Sequence, residues 1–340
     1  MRHEATPRQS AAAHSGHGRG AVARRPRLRL RSKSLLARWA VFPAPGRVFP
    51  AHGRRLRVVG VAAVAGGALL AALLPGAASA SAPSYVALGD SYTSGPLIPY
   101  LTGTPAGCLR SSHDYPALVA AAIGASSFTD VSCSGASTAN MTGSESVAFG
   151  TNPPQLNAVK ASTTLVTLGI GGNDIGFSDI ALLCSSLSFI DPFGAPCKRH
   201  YSAGGIDRLA EAVAQTGPKV AAVLEDIHSR APAARVLLVG YPALLPATGD
   251  GCWPLAPFAY GDVPYLRGVE LKLNQMLASE AAAHGATYVD TYTDSTGHNL
   301  CNGPGTKWIE GIVPTSLAAP VHPNAPGEKA MARQVLAALG

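Results

Sequence analysis

The chain has 340 residues, with 27 Lys and Arg against 20 Asp and Glu and a formal net charge of +7. The excess is uneven, because residues 1–57 hold 14 of the basic residues and one acid, leaving 13 basic and 19 acidic residues for the rest. The basic balance therefore belongs to a leader and does not mark a nucleic-acid-binding surface, although a basic arm attracts polyanions in principle.

Residues 1–53 are rich in Arg, Ala, Pro, Gly and His with no sustained period, and they read as a disordered basic extension. A translation start assigned too far upstream accounts for them. Residues 54–80 have the form of a secretion signal, with Arg54, Arg55 and Arg57 as the positive region, Val58 to Leu74 as the apolar region and Ala78-Ser79-Ala80 as the cleavage site. The apolar run is slightly shorter than the span of about 20 residues that a membrane helix needs. Cleavage near Ala80 and export are expected, with an uncleaved anchor as the alternative.

Residues 81–340 are read as one catalytic domain. Apolar runs at Tyr85–Leu88, Leu165–Ile170, Arg235–Gly240 and Thr287–Asp290 alternate with helical patterns near Tyr115–Ile123, Ile206–His228, Tyr265–His284 and Gly327–Leu339. Such alternation implies an α/β domain, a mainly parallel sheet covered by helices in three α/β/α layers. Ligands in such sheets bind outside the carboxyl ends of the strands.

Three short segments at such positions carry chemistry. Gly89-Asp90-Ser91 ends the first apolar run, Gly171-Gly172-Asn173-Asp174 closes the run at Leu165–Ile170, and His322-Pro323-Asn324 precedes the last helix. Each alone is ordinary turn chemistry. Together, in this order, they supply a nucleophile, an oxyanion donor and a base. A serine hydroxyl attacks poorly unless a base within hydrogen-bond reach takes its proton, which neutral imidazole does near pH 7. The pentapeptide Gly-x-Ser-x-Gly is absent around Ser91, which argues against the nucleophile elbow of α/β-hydrolases.

These blocks resemble the SGNH or GDSL hydrolases, most closely the secreted actinobacterial lipases and esterases, from about Tyr85 to Gly340. The resemblance implies the SGNH fold with a flavodoxin-like strand order. It also implies Ser91 as nucleophile, His322 as base, and an oxyanion hole formed by the N–H groups of Ser91 and of Gly135, in Ser134-Gly135-Ala136-Ser137-Thr138, with the side chain of Asn173. Many members of the family place an acid three residues before the histidine, where this chain has Ala319. The backbone carbonyl of Ala319 is the expected orienter of His322, as in some secreted relatives. The rival is a remote carboxylate, with Asp290, Asp294 and Glu310 as candidates.

All six cysteines lie beyond the leader, and an even count in an exported chain points to disulfides. No two share a Cys-x-x-Cys spacing, so a zinc site is not expected, and no cofactor is implied. The family resemblance suggests sequential pairing, Cys108–Cys133, Cys184–Cys197 and Cys252–Cys301. The implied substrate is a small-molecule or lipid ester, hydrolysed by a monomer with transient contact at a lipid interface and no nucleic-acid partner. The scarcity of positive charge in the body also favours neutral esters over nucleotides. Two apolar stretches could wall an acyl pocket or simply fill their own loops. One is the segment 241–266, with Leu244, Leu245, Trp253, Leu255, Phe258, Tyr260 and Tyr265; the other holds Trp308, Ile309, Ile312 and Val313. A carbohydrate O-acetyl esterase would use the same catalytic set, and a non-catalytic binding protein is the remaining alternative.

Overall fold

The computed structural model describes residues 82–340; the expectations for the extension and the secretion signal lie outside the described residues. A five-stranded sheet runs in the order β2-β1-β5-β6-β7, with every neighbouring pair parallel. Its strands are β1 (Ser84–Gly89), β2 (Ser127–Asp130), β5 (Leu165–Gly169), β6 (Arg235–Val239) and β7 (Thr287–Val289). In chain order of these five the arrangement is second-first-third-fourth-fifth, the flavodoxin-like order. A separate antiparallel pair, β3 (Glu145–Val147) and β4 (Gly150–Asn152), lies outside this sheet.

Side chains alternate across β1 and divide the core in two. Val86 and Leu88 join Val166 and Leu168 on one face, packed against α6 (Arg208–Arg230) and α7 (Val263–Ala283) through Val220, Leu224, Leu273 and Leu277. Tyr85 and Ala87 face the other way, with Leu237 and Val239, onto α2 (Tyr115–Ala122) and α8 (Ala325–Leu339) through Val119, Met331 and Val335. Burial on both faces explains why the central strands are continuous apolar runs. Helix starts follow capping chemistry: the Asp114 side chain accepts from Ala117 N–H at 2.9 Å, and Asn324 from Gly327 N–H at 3.1 Å.

The four apolar runs became β1, β5, β6 and β7, and the four helical patterns became α2, α6, α7 and α8. Edge strand β2 escaped the sequence reading because Ser127, Phe128 and Thr129 are all exposed and leave no apolar signal. Also missed were the one-turn α1 (Ser91–Ser94) and α3 (Ala139–Thr142), with α4 (Phe177–Ser188) and α5 (Pro196–Tyr201). The cysteines pair as Cys108–Cys133, Cys184–Cys197 and Cys252–Cys301. The first pins the segment ahead of Gly135, the second ties α4 to α5, and the third anchors the loop that follows β6.

Candidate active site

Ser91 stands immediately beyond the carboxyl end of β1, at the start of α1. Two groups fix the turn. The Gln155 amide grips Gly89 at both backbone atoms, accepting from its N–H at 2.8 Å and donating to its carbonyl at 2.9 Å. The Asp90 carboxyl caps α1 by accepting from Tyr92 N–H at 2.9 Å, and it also accepts from the Tyr241 hydroxyl at 2.5 Å. Tyr241 in turn accepts from Gly172 N–H at 2.8 Å, so one chain of bonds joins the Ser91 turn, the end of β6 and the Asn173 loop. Burial raises the Asp90 carboxyl to about 7. Gly89 also leaves no room for a side chain, because a Cβ there would fall 2.1 Å from Thr93 Oγ1.

His322 arrives from the opposite direction, on the loop before α8. Its Nε2 lies 2.7 Å from Ser91 Oγ and its Nδ1 lies 2.7 Å from the Pro320 carbonyl. A carbonyl only accepts, so Nδ1 carries the proton and Nε2 presents its lone pair to the serine. The expected orienter, Ala319, is thereby corrected to Pro320. The Ala319 carbonyl accepts instead from the backbone N–H of His322 at 3.3 Å, closing a tight turn. Within that turn Val321 adopts φ +63°, a strained conformation for a β-branched residue, which folds the ring back over Pro320. The loop is held by Ala319 N–H to the Pro96 carbonyl at 2.9 Å and by the Tyr92 hydroxyl to the Val321 carbonyl at 2.6 Å. Desolvation lowers the His322 pKa below its ordinary 6.5, with the Pro320 bond opposing this as the smaller effect.

None of the three rival carboxylates reaches His322. Asp290 caps its own turn, accepting from the N–H groups of Tyr292 and Thr293. Asp294 is exposed and bonded to Gln334. Buried Glu310 pairs with Lys307 at 2.9 Å and accepts from Thr315 N–H and the Asn324 side chain. Elsewhere, His284 is engaged by Glu225 and Glu280, and His298 is stacked on Trp308 with centroids 3.8 Å apart.

Three groups are candidate oxyanion donors. Among the described residues the N–H groups of Ser91 and Gly135 have no backbone or side-chain acceptor. Gly135 holds φ +101°, which a residue with a Cβ rarely adopts. The Asn173 amide spends one hydrogen on the Ala136 carbonyl at 2.8 Å, and this bond orients the second. Asp174 fixes the same loop by accepting from the backbone and hydroxyl of Thr138, at 2.9 and 2.5 Å.

An apolar cavity opens beside these groups. From the loop after β6 it takes Tyr241, Leu244, Leu245 and Phe258, and from α7 Leu266, Val269 and Leu273. Trp253, Leu255, Tyr260 and Tyr265 do not line it. Neither does the second stretch: Ile309 is core, whereas Val313 is exposed. Ile175, Phe177, Ile180 and Ala181, from the Asn173 loop and α4, form the facing wall, and Glu270, Leu300 and Val321 also line the cavity. The facing wall gave no distinct signal, because α4 mixes Ser and Asp with its apolar residues.

A serine hydroxyl, an imidazole in contact with it and unpaired N–H donors, gathered at the carboxyl ends of parallel strands, form an arrangement suited to acyl-transfer chemistry. The chain belongs to the GDSL-like lipase/acylhydrolase family, a class of carboxylic ester hydrolases, whose model matches residues 87–330. It is 40% identical over 297 residues to Lipase 2 of Streptomyces coelicolor, an alignment covering 84% of this chain and 98% of that protein. Among solved structures it is similar to phospholipase A1 from Streptomyces albidoflavus, with 30% identity and a TM-score of 0.63, covering 76% of this chain and all of that one. The extracellular lipase of Streptomyces rimosus matches with 30% identity and a TM-score of 0.62 over the same shares.

Proposed function

We propose that this protein is a secreted serine esterase or lipase that hydrolyses carboxylic esters of medium or long acyl chains through an acyl-enzyme on Ser91. The observation that carries the reading is the 2.7 Å contact of His322 Nε2 with Ser91 Oγ at the edge of an apolar cavity. His322 takes the Ser91 proton as Oγ attacks the ester carbonyl. The oxyanion so formed is received by Ser91 N–H, Gly135 N–H and Asn173 Nδ2. His322 then returns the proton to the departing alcohol. Water repeats the sequence on the acyl-enzyme and frees the acid.

The Pro320 carbonyl fixes the tautomer, and Ser91 with His322 works as a dyad without a carboxylate. An acetyl group would leave the cavity unused, which favours longer acyl chains over carbohydrate O-acetyl esters. Lipid contact is supported by Leu182, Phe189, Ile190 and Phe193, all exposed on or just beyond the helix whose first turns wall the cavity. Three disulfides and the extracellular character of the S. rimosus relative support export. The test is hydrolysis of an ester chain-length series by the protein and its Ser91→Ala variant. Turnover rising from acetyl to medium or long acyl chains, and absent in the variant, is expected; wild-type turnover in the variant overturns the reading.

A further inference from the structure

Among the described residues, Glu270 is the one carboxyl on the cavity wall that neither holds the nucleophile turn nor touches the base. It lies on α7 between Leu266 and Leu273, is 7% exposed, and lines the cavity with Val269, Leu244 and Leu245. Its Oε1 accepts from Leu244 N–H at 2.9 Å and so fastens the loop after β6. Its Oε2 is buried and has no partner among the described residues. A purely structural role accounts for the first oxygen and leaves the second unexplained, since an unpaired polar atom in apolar surroundings is costly.

Building on the acyl-ester reading, we propose that Glu270 is a specificity-determining residue that recognises an oxygen function, hydroxyl or keto, carried on the acyl chain of the substrate. Burial raises its carboxyl to about 8, so near neutral pH the group keeps its proton and offers an O–H donor. An oxygen at the matching carbon of the chain accepts that hydrogen. A plain methylene there leaves the donor unsatisfied, and a site built to bond an oxygen discriminates against the analogue that lacks it.

The test compares kcat/KM for p-nitrophenyl decanoate with that for a positional series of its hydroxy and keto derivatives, in the wild type, Glu270→Gln and Glu270→Leu. The wild type is expected to prefer the oxygenated chain at one position by about three- to tenfold, the worth of one neutral hydrogen bond. Glu270→Gln keeps an acceptor for Leu244 and a donor for the substrate, and retains the preference. Glu270→Leu loses it and favours the plain chain. No preferred position in an active wild type overturns the proposal, even if the Leu variant fails to fold. So does a Leu variant that keeps the wild-type preference. Inactivity on every ester, plain chains included, would instead overturn the underlying esterase reading.

Discussion

The two halves of the proposed catalytic pair are held in opposite ways. Ser91 is delivered by the central strand, and its turn is fixed by side chains, with Gln155 on Gly89 and Asp90 bridging Tyr92 and Tyr241. His322 follows no strand directly, and its loop is fixed through backbone carbonyls, those of Pro320, Ala319, Val321 and, across the loop, Pro96. Any residue but proline can donate through its N–H and every residue offers a carbonyl, so the base side needs shape more than residue identity. Side chains grip the nucleophile turn, whereas the base loop is held at its backbone carbonyls, with the Tyr92 hydroxyl as its side-chain contact.

That contrast is tested most severely at the pair itself. Ser91→Ala and His322→Ala are each expected to lower kcat by about 10⁶-fold, the scale for removing the serine or histidine of a catalytic set. Ser91 is 7% exposed, and replacing its hydroxyl by a hydrogen leaves the packing of the turn intact. Circular dichroism and a thermal melt check that the loss is chemical. Asn173→Ala is expected to lower kcat by about 10²- to 10³-fold with little change in KM, measured by steady-state kinetics. An equal rise in KM would place Asn173 in ground-state binding instead.

Tyr92→Phe sharpens the base side, since it removes only the bond to the Val321 carbonyl. A loss of about 1 kcal/mol is expected, or about fivefold in kcat/KM, with the ring packing retained. Asp290 and Asp294 give the smallest kinetic effects. Their replacement by Asn should change kcat by less than about threefold, whereas a triad acid would cost on the order of 10⁴. Glu310→Gln strands buried Lys307, so chemical denaturation should show a loss of about 3 kcal/mol while kcat stays within about tenfold.

The same contrast explains what the sequence disclosed. Gly89-Asp90-Ser91, Asn173 and His322 could be singled out as candidates because the proposed chemistry requires their residue types, and the fold brings Ser91 and His322 into contact. The central strands were legible because both faces are buried. Gln155 was not, since a glutamine 66 positions from Gly89 gives no local sign of the contact. Pro320 was missed because a carbonyl has no residue signature, and only the left-handed turn at Val321 decides which one the ring meets. Part of the cavity wall, Leu244, Leu245 and Phe258, was read in the loop after β6. The part on α4 was not, because Ser and Asp interrupt the apolar pattern of that helix.

The pH dependence of kcat/KM in the wild type tests the carbonyl-held dyad most directly. Protonated His322 cannot accept the serine proton, so activity must appear as pH rises through the His322 pKa in the free enzyme. Burial beside a neutral carbonyl disfavours the imidazolium, whereas a carboxylate partner would stabilise it. An acid limb below 6.5, with full activity reached by neutral pH, is the expected result. A limb displaced above that value would contradict the account and place a negative charge beside the ring.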